Sequence, residues 1–240
     1  MTKKILIIHG WGKGQESWQK VKEILEKNGF EVIVPDLPGF GKNPPPDKIW
    51  GIREYALWLD NLIKEKVILF GHSFGGAVAL NFLNISPQKV EKIILCSPAI
   101  FRKKGAKVKF FSFLAKKFRK IIKKRPLPKI VERIIAKILG NQDYYQSQGI
   151  KREIFKKIIK EDCSFLLEKI NLPTLIIWGK EDKVVPLEEG EKLKKLIKNS
   201  KLVVLEKTGH SPHLEKANEL SKIVIDFLED KHLPCFNKKE

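Results

Sequence analysis

Six short, unbroken runs of Ile, Leu and Val limit this 240-residue chain more than any other feature: KKILIIHG, EVIVPD, KVILFG, KIILCS, PTLIIWG and KLVVLE. None alternates apolar with polar residues, as a strand with one wet face would. Each reads as a strand buried on both faces, the pattern of a parallel sheet covered by helices. Helical periods fall between the runs. They span Glu16 to Asn28 (closed by Gly29), Ile52 to Lys64, Gly75 to Leu83, Leu187 to Lys198 and His213 to Glu229. Strands alternating with helices imply an α/β fold with a mostly parallel central sheet of about six strands, flanked by helices. The alternation stops after Pro98 and resumes at PTLIIWG, so a helical cap is expected to be inserted after the fourth strand. The expected division is a core of residues 1–98 and 166–240 with a cap of residues 99–165.

In open parallel sheets the functional groups gather in loops beyond the carboxyl ends of the strands. After the third run stands Gly71-His72-Ser73-Phe74-Gly75, a G-x-S-x-G pentapeptide between a strand and a helix. There the turn is sharp enough to strain the serine backbone and push Oγ outward, and flanking side chains would collide with neighbouring elements. Ser73 is therefore the candidate nucleophile. A serine hydroxyl needs a base, and histidine held by a carboxylate is the usual one. Among five histidines, His9 follows the first strand, His72 lies inside the turn pointing away from Ser73, and His232 is in the tail. His210, on the glycine-containing loop after the last strand, alone combines a strand-end position with freedom to reach Ser73. His213 reads as a supporting or capping residue. The acid is expected from Glu181 and Asp182 after the fifth strand, with Asp182 preferred; this gives the chain order Ser, acid, His. An oxyanion also needs a donor from the loop after the first strand, and HGWGKG offers the Trp11 N–H among glycines that admit close backbone approach.

Taken together and in order, HGWG, DLPGFGK (36–42), GHSFGG, WGKEDKVVP and GHSPHLEKANEL resemble the α/β-hydrolase superfamily, in its lidded single-domain branch. The likeness covers the chain apart from the middle insertion. It implies Ser73 as nucleophile, Asp182 as orienting acid, His210 as base, and Trp11 and Phe74 as oxyanion donors through their backbone N–H groups. It also implies a lid over the serine, so Trp11, Phe74, Phe110, Phe111 and Phe118 are expected to line the substrate pocket. Two departures stand out. Asn43 occupies a position where the family more often has serine, and the chain starts at what looks like the family's third strand, without the usual antiparallel leading hairpin. A serine at position 73 argues against the superfamily's dehalogenases, which use aspartate there. The implied activity is cleavage of carboxylic esters through an acyl-enzyme, with no cofactor and no metal. Thioester, lactone, carbon–carbon and small-amide cleavage use the same machinery, and a non-catalytic binding protein on this fold is the competing class.

Charge bears on the partner. With 47 Lys and Arg against 28 Asp and Glu, the chain carries a formal +19. Only six of the basic residues are arginine, and no zinc-finger, basic-zipper or RNA-recognition pattern accompanies the lysines, which argues against nucleic acid. From Arg102 to Val131 thirteen residues are basic and none acidic, while Phe110, Phe111, Leu114, Phe118, Ile121 and Ile122 recur at helical spacing. Such a basic amphipathic segment would cover the pocket with its apolar face and could attract an anionic or acyl-carrier-linked substrate with the other. The HGWG opening and basic lid also resemble methyl esterases of carrier-linked acyl chains, although that subfamily typically carries a different residue at position 72. No apolar stretch is long enough to span a bilayer and no secretory signal pattern opens the chain, so no integral membrane association and a cytoplasmic location are expected. Three widely spaced cysteines, Cys96, Cys163 and Cys235, read as free thiols rather than a disulfide framework.

Overall fold

The computed structural model describes residues 2–101 and 149–231. Within them six strands form one parallel sheet: β1 (Lys4–Ile8), β2 (Glu31–Ile33), β3 (Val67–His72), β4 (Val90–Cys96), β5 (Thr174–Gly179) and β6 (Ser200–Leu205). Their spatial order is β2-β1-β3-β4-β5-β6. The α/β class and the mostly parallel sheet of about six strands expected from the apolar runs are as observed, and all five strand pairings are parallel. Every residue of β3 and β5 is buried, because helices cover both faces of the sheet.

Alternation along each strand divides the interior in two. Ile5, Ile7, Ile68, Phe70, Ile94 and Ile177 face α1 (Gln19–Lys27) and the last helix. Leu6, Ile8, Leu69, Ile93, Ile176 and Trp178 face α2 (Ile52–Leu62), α3 (Phe74–Ile85) and a helix at 187–196. Helix α4 (Gly149–Ile158) lies within the segment expected to form the cap, yet Ile154 and Ile158 join this second apolar cluster. The remaining α-helices among the described residues are α5 (Leu187–Leu196), the single turn α6 (Pro212–Glu215) and α7 (Ala217–Leu228).

Two helices differ from the sequence expectation at their starts. The first opens as a 3-10 turn, Gln15–Trp18, before α1 begins. The last is split at Lys216, whose φ of −140° leaves the helical region. The Glu215 carboxylate turns back to accept the N–H groups of Gly209 (2.7 Å) and Ser211 (3.1 Å), which ties the first short turn to the loop before it.

The strand order fixes where a site can form. From β1 the chain moves outward to β2, and from β3 it moves the other way to β4, so the connections diverge between β1 and β3. A crevice opens at the carboxyl end of a parallel sheet at such a point. The pairing of Ile8 with Gly71 brings the loop after β1 beside the turn after β3.

Candidate active site

Ser73 links β3 to α3 with φ 52° and ψ −118°, a left-handed conformation unusual for a residue with a side chain. Its surroundings hold it there. Its N–H donates to the Cys96 carbonyl (3.1 Å), and its own carbonyl accepts from Gly76 and Ala99 (3.0 Å each). The glycines are sterically required. A Cβ at Gly71 would stand 2.7 Å from the Gly75 carbonyl oxygen, and one at Gly75 would overlap the Ile8 carbonyl. The turn is thus wedged between the neighbouring strand and its own helix, and Oγ is left half-buried at the sheet edge.

The candidate acid and base come from adjacent loops, tied together by the Glu181 N–H donating to the Thr208 carbonyl (2.8 Å). Gly179 makes this approach possible, since any side chain there would run into the carbonyls of Thr208 and Gly209. Of the two acidic candidates Glu181 is exposed, whereas Asp182 is buried. Asp182 Oδ1 accepts the N–H groups of Val184 (2.8 Å) and Val185 (2.9 Å), which fixes the carboxylate and leaves Oδ2 to the histidine. His210 Nδ1 lies 2.7 Å from Asp182 Oδ2, and His210 Nε2 lies 2.9 Å from Ser73 Oγ. A carboxylate can only accept, so Nδ1 carries the proton and Nε2 is left basic toward the serine. Residues 73, 182 and 210, the first more than a hundred positions from the other two in sequence, form one continuous hydrogen-bonded chain.

The two residues expected to supply an oxyanion site lie beside this chain. Phe74 opens α3, where the first N–H groups have no acceptor within the helix and the dipole favours negative charge. Trp11 follows Gly10, whose added Cβ would be 3.4 Å from Ser73 Cβ. The Trp11 and Phe74 rings meet edge-on at 5.5 Å. They belong to an aromatic wall that sequence reasoning only partly anticipated: Trp11 also packs on Phe40 (4.8 Å) and Phe155 (5.1 Å), and Phe74 on Tyr55 (5.3 Å). Phe155 carries no distinguishing local signal, and Phe40, although it stands in the DLPGFGK loop after β2, has no group that gives or takes a proton. The Lys151 ammonium sits 4.8 Å from the centre of the Phe40 ring. Phe110, Phe111 and Phe118 lie outside the described residues.

Two further devices hold the loops. His9 is fully buried and bonded at both nitrogens. Its Nδ1–H donates to the Gly10 carbonyl (2.8 Å), and its Nε2 accepts the Leu37 N–H (3.0 Å). Burial keeps its pKa below the ordinary histidine value. Asp36 accepts the N–H groups of Gln15 (2.7 Å) and Lys42 (3.1 Å), joining the loop after β1 to the loop after β2. Burial works against the Asp36 charge, but these amides outweigh it and hold the carboxyl below its usual range. Asn43, in place of the family's more usual serine, donates to the Asp36 carbonyl (2.9 Å).

Behind His210 lies a histidine cluster whose extent the sequence did not reveal. His72 Nε2–H donates to the His210 carbonyl (2.8 Å), while its Nδ1 meets no partner. His213 stacks on Trp18 (4.3 Å, 5°) and packs edge-on against His72 (4.6 Å), with neither nitrogen bonded. Burial, with repulsion from His210 second, pushes the His213 pKa down to about 3. The role of support expected for His213 is therefore that of an uncharged packing residue. Among the described residues no group of three His, Cys, Asp or Glu side chains is arranged to hold a metal, and no helix is long and apolar enough to cross a membrane.

Comparison with known proteins agrees with this geometry. The family model described as "Serine aminopeptidase, S33", a hydrolase family, matches residues 1–217. A pimeloyl-[acyl-carrier protein] methyl ester esterase of Neisseria meningitidis is 29% identical over 246 residues, covering 95% of this chain and 94% of that protein. A 2-hydroxy-6-oxo-6-phenylhexa-2,4-dienoate hydrolase of Comamonas testosteroni is also 29% identical, over 256 residues, with coverage of 95% and 88%. An esterase from Exiguobacterium antarcticum shares the fold with a TM-score of 0.75 at 23% identity, covering 95% of this chain and 92% of its own. The match over most of its length, on a parallel sheet carrying a serine elbow, makes this chain a member of the S33 serine hydrolase family within the α/β-hydrolase superfamily.

Proposed function

We propose that this protein hydrolyses carboxylic esters through an acyl-enzyme formed on Ser73. The observation that carries the reading is the placement of one imidazole 2.9 Å from a serine held in a strained elbow and 2.7 Å from a buried carboxylate. In this reading Ser73 Oγ attacks the ester carbonyl while His210 Nε2 takes its proton, and Asp182 stabilises the imidazolium that results. The tetrahedral oxyanion lies on the N–H groups of Trp11 and Phe74; losing one such donor typically lowers the rate by roughly a hundredfold to a thousandfold. His210 then returns the proton to the leaving alkoxide, and a water activated by the same nitrogen releases the acid.

The family description names an aminopeptidase, whose substrates present an ammonium group. The charge beside this site is the opposite of what such a substrate needs. Lys151 lies over Phe40, which packs directly on Trp11. A cation there favours neutral or anionic substrates, and the esterase relative fits that preference. The finer proposal is an ester on an anionic or acyl-carrier-linked chain, drawn toward helix α4 and the thirteen basic residues between 102 and 131. Buried Cys96, a free thiol, supports a cytoplasmic setting for this chemistry.

Labelling with a fluorophosphonate tests the reaction class. The wild type should be modified and Ser73→Ala should not; an unlabelled wild type would overturn the proposal. A panel of p-nitrophenyl esters of graded chain length, run beside aminoacyl p-nitroanilides, separates esterase from aminopeptidase. For the carrier-linked reading, kcat/KM for the carrier-bound ester should fall with salt and on neutralising Lys116, Lys117 and Lys120, while a short neutral ester responds little. An equal response of both substrates would refute it.

A further inference from the structure

We infer that His72, the residue before the nucleophile, is a positioning residue for the base: its Nε2–H holds the His210 backbone carbonyl, and so holds the imidazole in line with Ser73. The inference rests on the catalytic reading above and adds a residue to it. Position 72 ends β3, and strand alternation turns its side chain with that of Phe70 to the face opposite α3. There the ring meets three loops at once. It adjoins Ser73 in the chain, it donates to the His210 carbonyl at 2.8 Å, and it lies against Gly10 of the loop after β1. The contact with Gly10 is close: a Cβ at that position would stand 2.9 Å from His72 Nδ1.

This contact also sets the tautomer. The His210 carbonyl can only accept, so the proton must be on Nε2. Nδ1 faces Gly10 and has no partner, so a second proton there would meet no acceptor. The ring is 3% exposed and packed by His213 at 4.6 Å, Trp18 at 6.0 Å and His210 at 5.1 Å. His72 therefore stays neutral beside a base that becomes cationic during the reaction. It anchors the backbone of His210 without adding a competing charge. Glu215 holds the amides on either side of His210, but the carbonyl of His210 itself rests on His72.

The test compares His72→Phe, which keeps an aromatic ring and loses the donor, with His72→Gln, which keeps an N–H at similar reach. With a p-nitrophenyl ester, kcat of the Phe variant should fall about tenfold to a hundredfold with KM changed less than about threefold, because small misplacement of a catalytic group costs rate rather than binding. The Gln variant should recover most of that loss. Fluorophosphonate labelling rates should follow the same order. The inference is overturned if the folded Phe variant keeps kcat within about twofold of wild type, or if Gln is as impaired as Phe. Should the Phe variant not fold, 15N NMR of histidine-labelled wild type decides: His72 must show a protonated Nε2 and a bare Nδ1 at neutral pH, and any other state overturns the assignment. Failure of Ser73-dependent labelling in the wild type would instead remove the catalytic reading, with the His72 NMR signature intact.

Discussion

His210 and His213 lie three residues apart, one on the loop after β6 and the other in the single turn α6, yet the two regions they belong to are opposites. Around His210 each nitrogen meets a partner, Asp182 on one side and Ser73 on the other. Around His213 neither nitrogen does, and the ring is sandwiched against Trp18 and His72. The first arrangement keeps a proton mobile between fixed acceptors. The second excludes charge, because burial without a partner penalises the imidazolium. Sequence neighbours of the same type thus take different roles according to what faces them.

The largest expected effect breaks the first region. Ser73→Ala should reduce kcat/KM by about a thousandfold to a millionfold, and adding His210→Ala should lower it little further, since residues acting as a unit are not additive. Asp182→Asn keeps the shape but can donate toward His210 Nδ1 and favour the wrong tautomer, so kcat should drop by about ten-thousandfold with Tm nearly unchanged. Comparable losses in an Asp182→Glu variant, with its carboxylate displaced, would argue for geometry over charge.

A packing change of intermediate size tests how α4 is anchored. Ile154 is fully buried in the larger apolar cluster, so Ile154→Ala should cost about 2–5 kcal/mol by denaturant unfolding. A much smaller cost would mean that α4 is not anchored in the core.

The histidine cluster should reveal itself in acid. His213 titrates near 6.5 when unfolded and at about 3 when folded, so the unfolded chain binds the extra proton between those values. Its contribution is complete above about 6.5 and is lost as pH falls toward 3, at up to about 1.4 kcal/mol per pH unit. His9 and His72 are also lowered by burial and add slope of the same sign. Unfolding measured from pH 7 to 5 should show this loss, and His213→Phe should flatten it by about one proton. The smallest effect is at neutral pH, where His213→Phe removes two unbonded buried nitrogens and should leave stability the same or raise it by about 1 kcal/mol. A marked destabilisation would mean that those nitrogens are bonded in solution.

Much of this was legible in the chain. Short unbroken apolar runs bounded by turn residues and alternating with helical periods read as strands covered by helices, and G-x-S-x-G between such a run and a helix has a mechanical meaning. Position after a strand then brought His210 and Asp182 into the candidate set. Other features carried no such local mark. Glu181 and Asp182 are adjacent and chemically alike; only burial and the amides of Val184 and Val185 separate them. Position in the turn points His72 away from Ser73, but the direction it takes leads to the carbonyl of a residue 138 positions later. Phe40 and Phe155 join Trp11 from a loop and a helix with no shared spacing.

The sequence by itself determined the local requirements: which segments need burial on both faces, where only glycine fits, and which side chains can give or take a proton. The tertiary structure alone decided which of those groups meet. Hydrogen bonding and desolvation act over a few ångströms, and the separation in space of residues 73, 182 and 210 is set by strand order and register rather than by any spacing along the chain.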